Sequence, residues 1–117
     1  MKLARGDVWL AKPNAMMRPG RLSNLETIEQ AHAARPVLVV SPSELHDHLH
    51  TVIVVPLSRE RGATPFRPAF RLGGERAVAL VDQVRTIESA RLMRRVGKLG
   101  APALRNVLAT LRLAFAD

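Results

Sequence analysis

Arg35-Pro36-Val37-Leu38-Val39-Val40-Ser41, a polar link of nine residues from Pro42 to His50, and Thr51-Val52-Ile53-Val54-Val55-Pro56-Leu57-Ser58 form the stretch that decides the fold. Each of the two runs is almost wholly aliphatic and β-branched and is bounded by Pro and Ser, the pattern of a strand buried on both faces. Two such strands in succession make a stiff core. The polar residues at its outer ends, Arg35 and Ser58, would be held still by it.

Working outward, Asp7-Val8-Trp9-Leu10-Ala11 alternates well enough for a first strand. Residues 12–34 carry Pro13, Asn14, Pro19, Gly20, Ser23 and Asn24 with Arg18 and Arg21, and read as a long basic loop. Ser23 and Glu26 have capping-box spacing for a short helix within it, and a connection of this length in a compact domain is commonly functional. Downstream, Phe66 to Leu72 alternates apolar and basic residues, with Pro68 marking an edge. Gly73-Gly74 turns the chain. Ala77 to Val81 reads as a buried strand that continues through Asp82-Gln83-Val84-Arg85-Thr86-Ile87, and Ser89 to Met93 as one helical turn. Arg94 to Leu99 reads as a short basic strand. Residues 102–116 predict a terminal helix, with Pro102 in its first turn. Its apolar stripe is Leu104, Val107, Leu108, Leu111 and Phe115. The expectation is one mainly β (α+β) domain over 1–117, a small barrel with a C-terminal helix.

Composition narrows the function. The chain has 117 residues, 47% of them hydrophobic, which supports one core. No apolar run approaches the ~18 residues of a membrane span, and residues 1–7 lack the apolar region of a signal peptide, so the cytoplasm is expected. The absence of cysteine excludes disulfides, thiolate metal sites and a cysteine nucleophile. Eighteen Lys and Arg against ten Asp and Glu leave a net charge of +8, which points to a polyanionic partner. With one Trp, three Phe and no Tyr, recognition by stacked aromatics is poorly provided for. Arginines and backbone groups must carry it.

The sequence His46-Asp47-His48-Leu49-His50 invites a metal reading, but a zinc site needs three or four converging ligands with a second shell, and a solvated hairpin loop accounts for it; no metal or other cofactor is expected. There is no phosphate-binding glycine loop and no Gly-x-Ser-x-Gly elbow. What remains is dispersed: Glu29 and Gln30, Arg35, Ser58, Asp82 and Gln83. Taken singly, Arg35 reads as a surface residue, Ser58 as a turn residue and Asp82 as a structural acceptor.

Taken in order, these residues and the runs around them resemble the MazF/PemK toxins. The resemblance is carried by Arg5-Gly6-Asp7-Val8-Trp9-Leu10, Glu29-Gln30, the two central strands and Val81-Asp82-Gln83-Val84-Arg85-Thr86-Ile87. It implies an SH3-like β-barrel of the CcdB/PemK type with a C-terminal helix, a homodimer, and the toxin role in a type II toxin–antitoxin system. The implied activity is metal-independent, sequence-specific cleavage of single-stranded RNA, with an acidic MazE-like antitoxin as the neutralising partner. It further implies catalytic roles for Arg35, Ser58, Asp82 and Glu29, and RNA contacts from Gln30, Arg59, Gln83, Arg18 and Arg21. The chain departs from the pattern in two places. Leu80 replaces an arginine paired with the aspartate in the PemK branch, and Ile28 replaces a loop histidine. Two other readings share the fold, a non-enzymatic CcdB-like toxin that binds DNA gyrase and a catalytically degenerate antitoxin-binding regulator.

Overall fold

The computed structural model describes residues 2–13 and 34–116. The loop expected over 12–34 falls on residues 14–33, together with its short helix and with Arg18, Arg21, Glu29 and Gln30, and lies outside the described residues.

Among the described residues the chain forms seven strands and two α-helices: β1 (Asp7–Ala11), β2 (Arg35–Val39), α1 (Ser43–His48), β3 (Thr51–Ser58), β4 (Ala69–Leu72), β5 (Glu75–Ala79), β6 (Arg85–Glu88), β7 (Leu92–Lys98) and α2 (Ala101–Ala114). All strand pairs are antiparallel. The strands run β4-β5-β3-β2-β1-β7 across the sheet, with β6 paired to β3. The result is a half-barrel of antiparallel strands with a C-terminal helix, the mainly β architecture expected from the sequence.

The period-2 rule sorts the aliphatic runs onto two faces. Trp9, Val37, Val39, Val52 and Val54 pack together on one. Val8, Leu38, Val40, Val55 and Leu57 pack on the other, with Val81, Leu99 and Val107. Both central strands are therefore buried on both sides, which is why they read as unbroken apolar runs. Helix α2 adds Val107, 1% exposed, to the second core, and Leu104, Leu108 and Leu111 pack beside it. Phe115 departs from the expected stripe. It follows the last helical residue and is 75% exposed.

Three further readings are corrected. The polar link between the central strands is not an irregular hairpin loop but contains α1, a helix of six residues with no side-chain cap. Its His46 hydrogen-bonds the Ser41 hydroxyl at 2.6 Å through Nε2, and its Nδ1 lies 3.2 Å from the Leu3 carbonyl. A carbonyl only accepts, so Nδ1 carries the proton and Nε2 accepts from Ser41 in the neutral ring. Ser41 Oγ in turn accepts the Ile53 amide at 3.0 Å, continuing the β2–β3 ladder with a side chain. Second, the expected strand from Ala77 to Ile87 is broken. A 3₁₀ turn at Val81–Gln83 separates β5 from β6, and the Leu80 amide donates to Pro56 at 2.9 Å. Strand β3 is long enough to pair β6 along Thr51–Val54 and β5 along Leu57–Ser58. Third, of the expected strand from Phe66 to Leu72 only Ala69–Leu72 is extended in the sheet.

The tight connection from β4 to β5 needs positive φ at two successive positions. Gly73 (58°) and Gly74 (83°) supply it. Across the barrel, β4 meets β7 through side chains: a Cβ at Gly97 would stand 3.3 Å from Leu72 Cδ1, so glycine there lets Leu72 approach.

Candidate active site

Register places the two polar ends together. In the β2–β3 ladder Val37 faces Pro56 and Val39 faces Val54. Carried two residues further, the same register sets Arg35 opposite Ser58, and the even spacing keeps both on one face. Both line a cleft of about 730 Å³ that reaches from β7 across β1, β2 and β3 to β5.

Its walls are strongly basic. Among the described residues, Arg35, Arg59, Arg61, Arg85 and Arg94 line it against one carboxylate, Glu60, and Gln83 adds an amide from the 3₁₀ turn. Leu10, Val37, Leu57 and Leu80 give it an apolar floor. A planar guanidinium offers five donors in a fixed fork matched to phosphate oxygens. Above a low-dielectric floor such charges act more strongly than in water.

The Ser58 hydroxyl is set by its own turn. Oγ accepts the amides of Glu60 and Arg61, each at 3.2 Å, which occupies both lone pairs. The hydroxyl proton is what it has to offer, so Ser58 faces an anion as a donor and not as a base.

Asp82 is placed differently. It does not line the cleft. Arg67 grips it through two parallel bonds, Nε to Oδ1 and Nη2 to Oδ2, both 2.8 Å. These hydrogen bonds, with the charge of Arg67 behind them, hold the Asp82 carboxyl below the usual carboxylate range despite the opposing effect of burial. Bidentate pairing of this kind also fixes orientation. Position 80 carries leucine, and the arginine that pairs with Asp82 comes from position 67, outside the motif. Arg59 reaches Glu75 at 2.8 Å, but both side chains are more than half exposed, and such a pair contributes little.

Of the residues singled out in the sequence, Arg35, Ser58, Arg59 and Gln83 come together in one cleft. Asp82 stands beside it, and Glu29, Gln30, Arg18 and Arg21 lie outside the described residues. Arg61, Arg85 and Arg94 were not singled out. Arg85 lies within the run Val81–Ile87 and Arg94 in the run read as a short basic strand, and that basic character was the available signal.

A family model described as PemK-like, MazF-like toxin of type II toxin–antitoxin system matches residues 4–115. The chain belongs to this family. Solved structures with the same fold include an endoribonuclease from a mycobacterial species, at 18% identity and TM-score 0.73, covering 97% of this chain and 91% of that one. A mycobacterial endoribonuclease in complex with its cognate antitoxin matches at 19% identity and TM-score 0.72, covering 98% of each chain. A MazE–MazF structure from Deinococcus radiodurans matches at 21% identity and TM-score 0.68, covering 97% and 95%. Among the described residues of this family member, no helix is long and apolar enough to cross a membrane.

Proposed function

We propose that this toxin-family protein is a metal-independent endoribonuclease that cuts single-stranded RNA through attack by the substrate's own 2′-hydroxyl. The observation that carries the proposal is that Arg35 and Ser58, at the adjoining ends of β2 and β3, line one arginine-rich cleft. The 2′-oxygen forms a bond to the adjacent phosphorus as the bond from phosphorus to the 5′-oxygen breaks. The products are a 2′,3′-cyclic phosphate and a 5′-hydroxyl end.

RNA supplies the nucleophile, so the protein needs only to place charge and move protons. Arg35 binds the phosphorane oxygens bidentately, because an arginine does not release its proton at neutral pH. Ser58 donates to a non-bridging oxygen. The 2′-proton goes to a carboxylate, and solvent water protonates the departing 5′-oxygen. Asp82, held ionised by Arg67, is a weak base, and the family resemblance leaves that role to Glu29. Gln83 and Arg59 contact the RNA from the cleft wall, as do Arg18, Arg21 and Gln30 by resemblance. The protein acts in the cytoplasm as a homodimer, and an acidic antitoxin segment competes with RNA for the arginines.

The test is incubation with a long RNA in EDTA, with the ends of any fragments mapped. Discrete fragments bearing 5′-hydroxyls, lost in Arg35→Ala, are expected. RNA that stays intact at high protein concentration overturns the proposal.

A further inference from the structure

Beside the main cleft lies a smaller hollow of about 140 Å³, and Arg35 and Arg85 line both. Lys12 and Arg91 complete its basic wall, over a floor that includes Val37 and Val54. Among the described residues no carboxylate lines it. The space is well below the ~300–1,000 Å³ that suits a drug-sized ligand and favours a group the size of a phosphate over a nucleoside.

Arg91 is the unusual member. It is only 6% exposed, and charged side chains are seldom buried without a partner. Its Nε donates to the Lys12 carbonyl at 3.1 Å, and its Nη2 donates to the same oxygen. That grip fixes the guanidinium and uses two of its five donors. Among the described residues no carboxylate lies within 4 Å of it, since the ion pairs are Arg59–Glu75, Arg67–Asp82 and Arg95–Asp7. Burial pulls Arg91 below the usual arginine value and repulsion from Arg85 adds to this, against a smaller opposing attraction from Glu88. An anion in the hollow would relieve both.

We propose that this hollow is a second phosphate subsite, in which Arg85 and Arg91 hold a phosphodiester group of the RNA backbone next to the one engaged by Arg35. The subsite rests on the reading of the substrate as RNA and extends it. The backbone crosses from the main cleft over Arg35 and Arg85 toward Lys12, and the extra contact fixes which phosphate meets Arg35 and Ser58.

The test has two arms. In the first, wild-type protein is titrated with inorganic phosphate while the arginine Nε–H signals are followed by NMR; saturable shifts of Arg85 and Arg91 are expected. In the second, binding of a mixed-sequence single-stranded DNA 12-mer, which has no 2′-hydroxyl to attack, is measured against salt. Arg85→Gln should lower the slope of log affinity on log salt by about 0.7, the release expected for one single-strand phosphate. Arg112→Gln, the same charge change at an exposed position of α2, should lower it by much less. Arg91→Gln should reproduce the Arg85→Gln effect if it folds, and the wild-type titration stands without it. Unmoved Arg85 and Arg91 signals with an unchanged slope, while long RNA is still cut, overturn the subsite and leave the ribonuclease reading intact. Phosphate-induced shifts in a protein that leaves RNA whole uphold an anion site and overturn RNA as its ligand.

Discussion

Ser58 combines a structural role with the donor role proposed for it. With its lone pairs occupied by the Glu60 and Arg61 amides, the hydroxyl is aimed without being spent. Ser58→Thr keeps that geometry and should retain cleavage. Ser58→Ala should lower kcat by roughly 10²-fold, the scale of one lost transition-state donor, while costing about 1 kcal/mol of stability for the lost turn bonds. Single-turnover cleavage and urea unfolding would separate the two effects, and an unchanged kcat would remove Ser58 from the chemistry. Arg67 and Asp82 lead to a pH prediction. The folded carboxyl is depressed below its ordinary value of 3.8, so the pair stabilises the protein above that pH and the contribution is lost as pH falls through the folded value. Urea midpoints of wild type and Arg67→Gln should differ at pH 6 and converge toward pH 2. A gap that persists in acid would mean that Arg67 acts through packing.

At the scale of elements, α1 is too short to be stable alone, has no side-chain cap and buries none of its residues. Its tether is His46, whose ring bridges Ser41 and Leu3. His46→Ala should therefore loosen α1 without unfolding the sheet: the Leu49 amide, bonded to Leu45 at 3.2 Å, should exchange faster while the core amides of β2 and β3 keep their protection. Ser41→Ala is the harsher change. It orphans the Ile53 amide beside a hydroxyl that is 2% exposed, and should cost about 1–3 kcal/mol in urea unfolding; a loss below about 0.5 kcal/mol would show that water replaces the hydroxyl. The elements also explain what was hard to read. Asp82 to Ile87 mixes polar and apolar residues and reads as a continuation of the strand, and that local pattern cannot reveal a turn at Val81–Gln83. The break comes from β3, whose Pro56 carbonyl takes the Leu80 amide and whose two ends recruit β5 and β6 separately.

At the scale of the whole molecule, the half-barrel is brought together where Leu72 of β4 reaches Gly97 of β7, and Leu72 and Val96 both line the cleft. Gly97→Ala would put a Cβ 3.3 Å from Leu72 Cδ1. Leu72 is half-buried and can give way, so the cost should be near the low end for overpacking, about 1 kcal/mol, with Gly97→Val worse. Calorimetry should show melting temperatures falling in the order glycine, alanine, valine. Equal values would mean that the two edges are not pressed together. The same closure gathers arginines from β2, β6 and β7 and from the turn after β3 around one space, and turns a net charge of +8 into a directed field.

The sequence by itself determined the two central strands, their shared polar ends and the C-terminal helix, because aliphatic runs, period-2 spacing and a helical stripe are local properties of a chain. It also carried the family, through motifs in a fixed order. Tertiary structure alone decided that Arg67 forks onto Asp82 from fifteen residues away, that Ser41 and His46 join α1 to the ladder, and that Arg91 turns back to the carbonyl of Lys12 across seventy-nine residues. Those contacts depend on how strands are laid side by side, and no periodicity along the chain records which distant residues that packing makes neighbours.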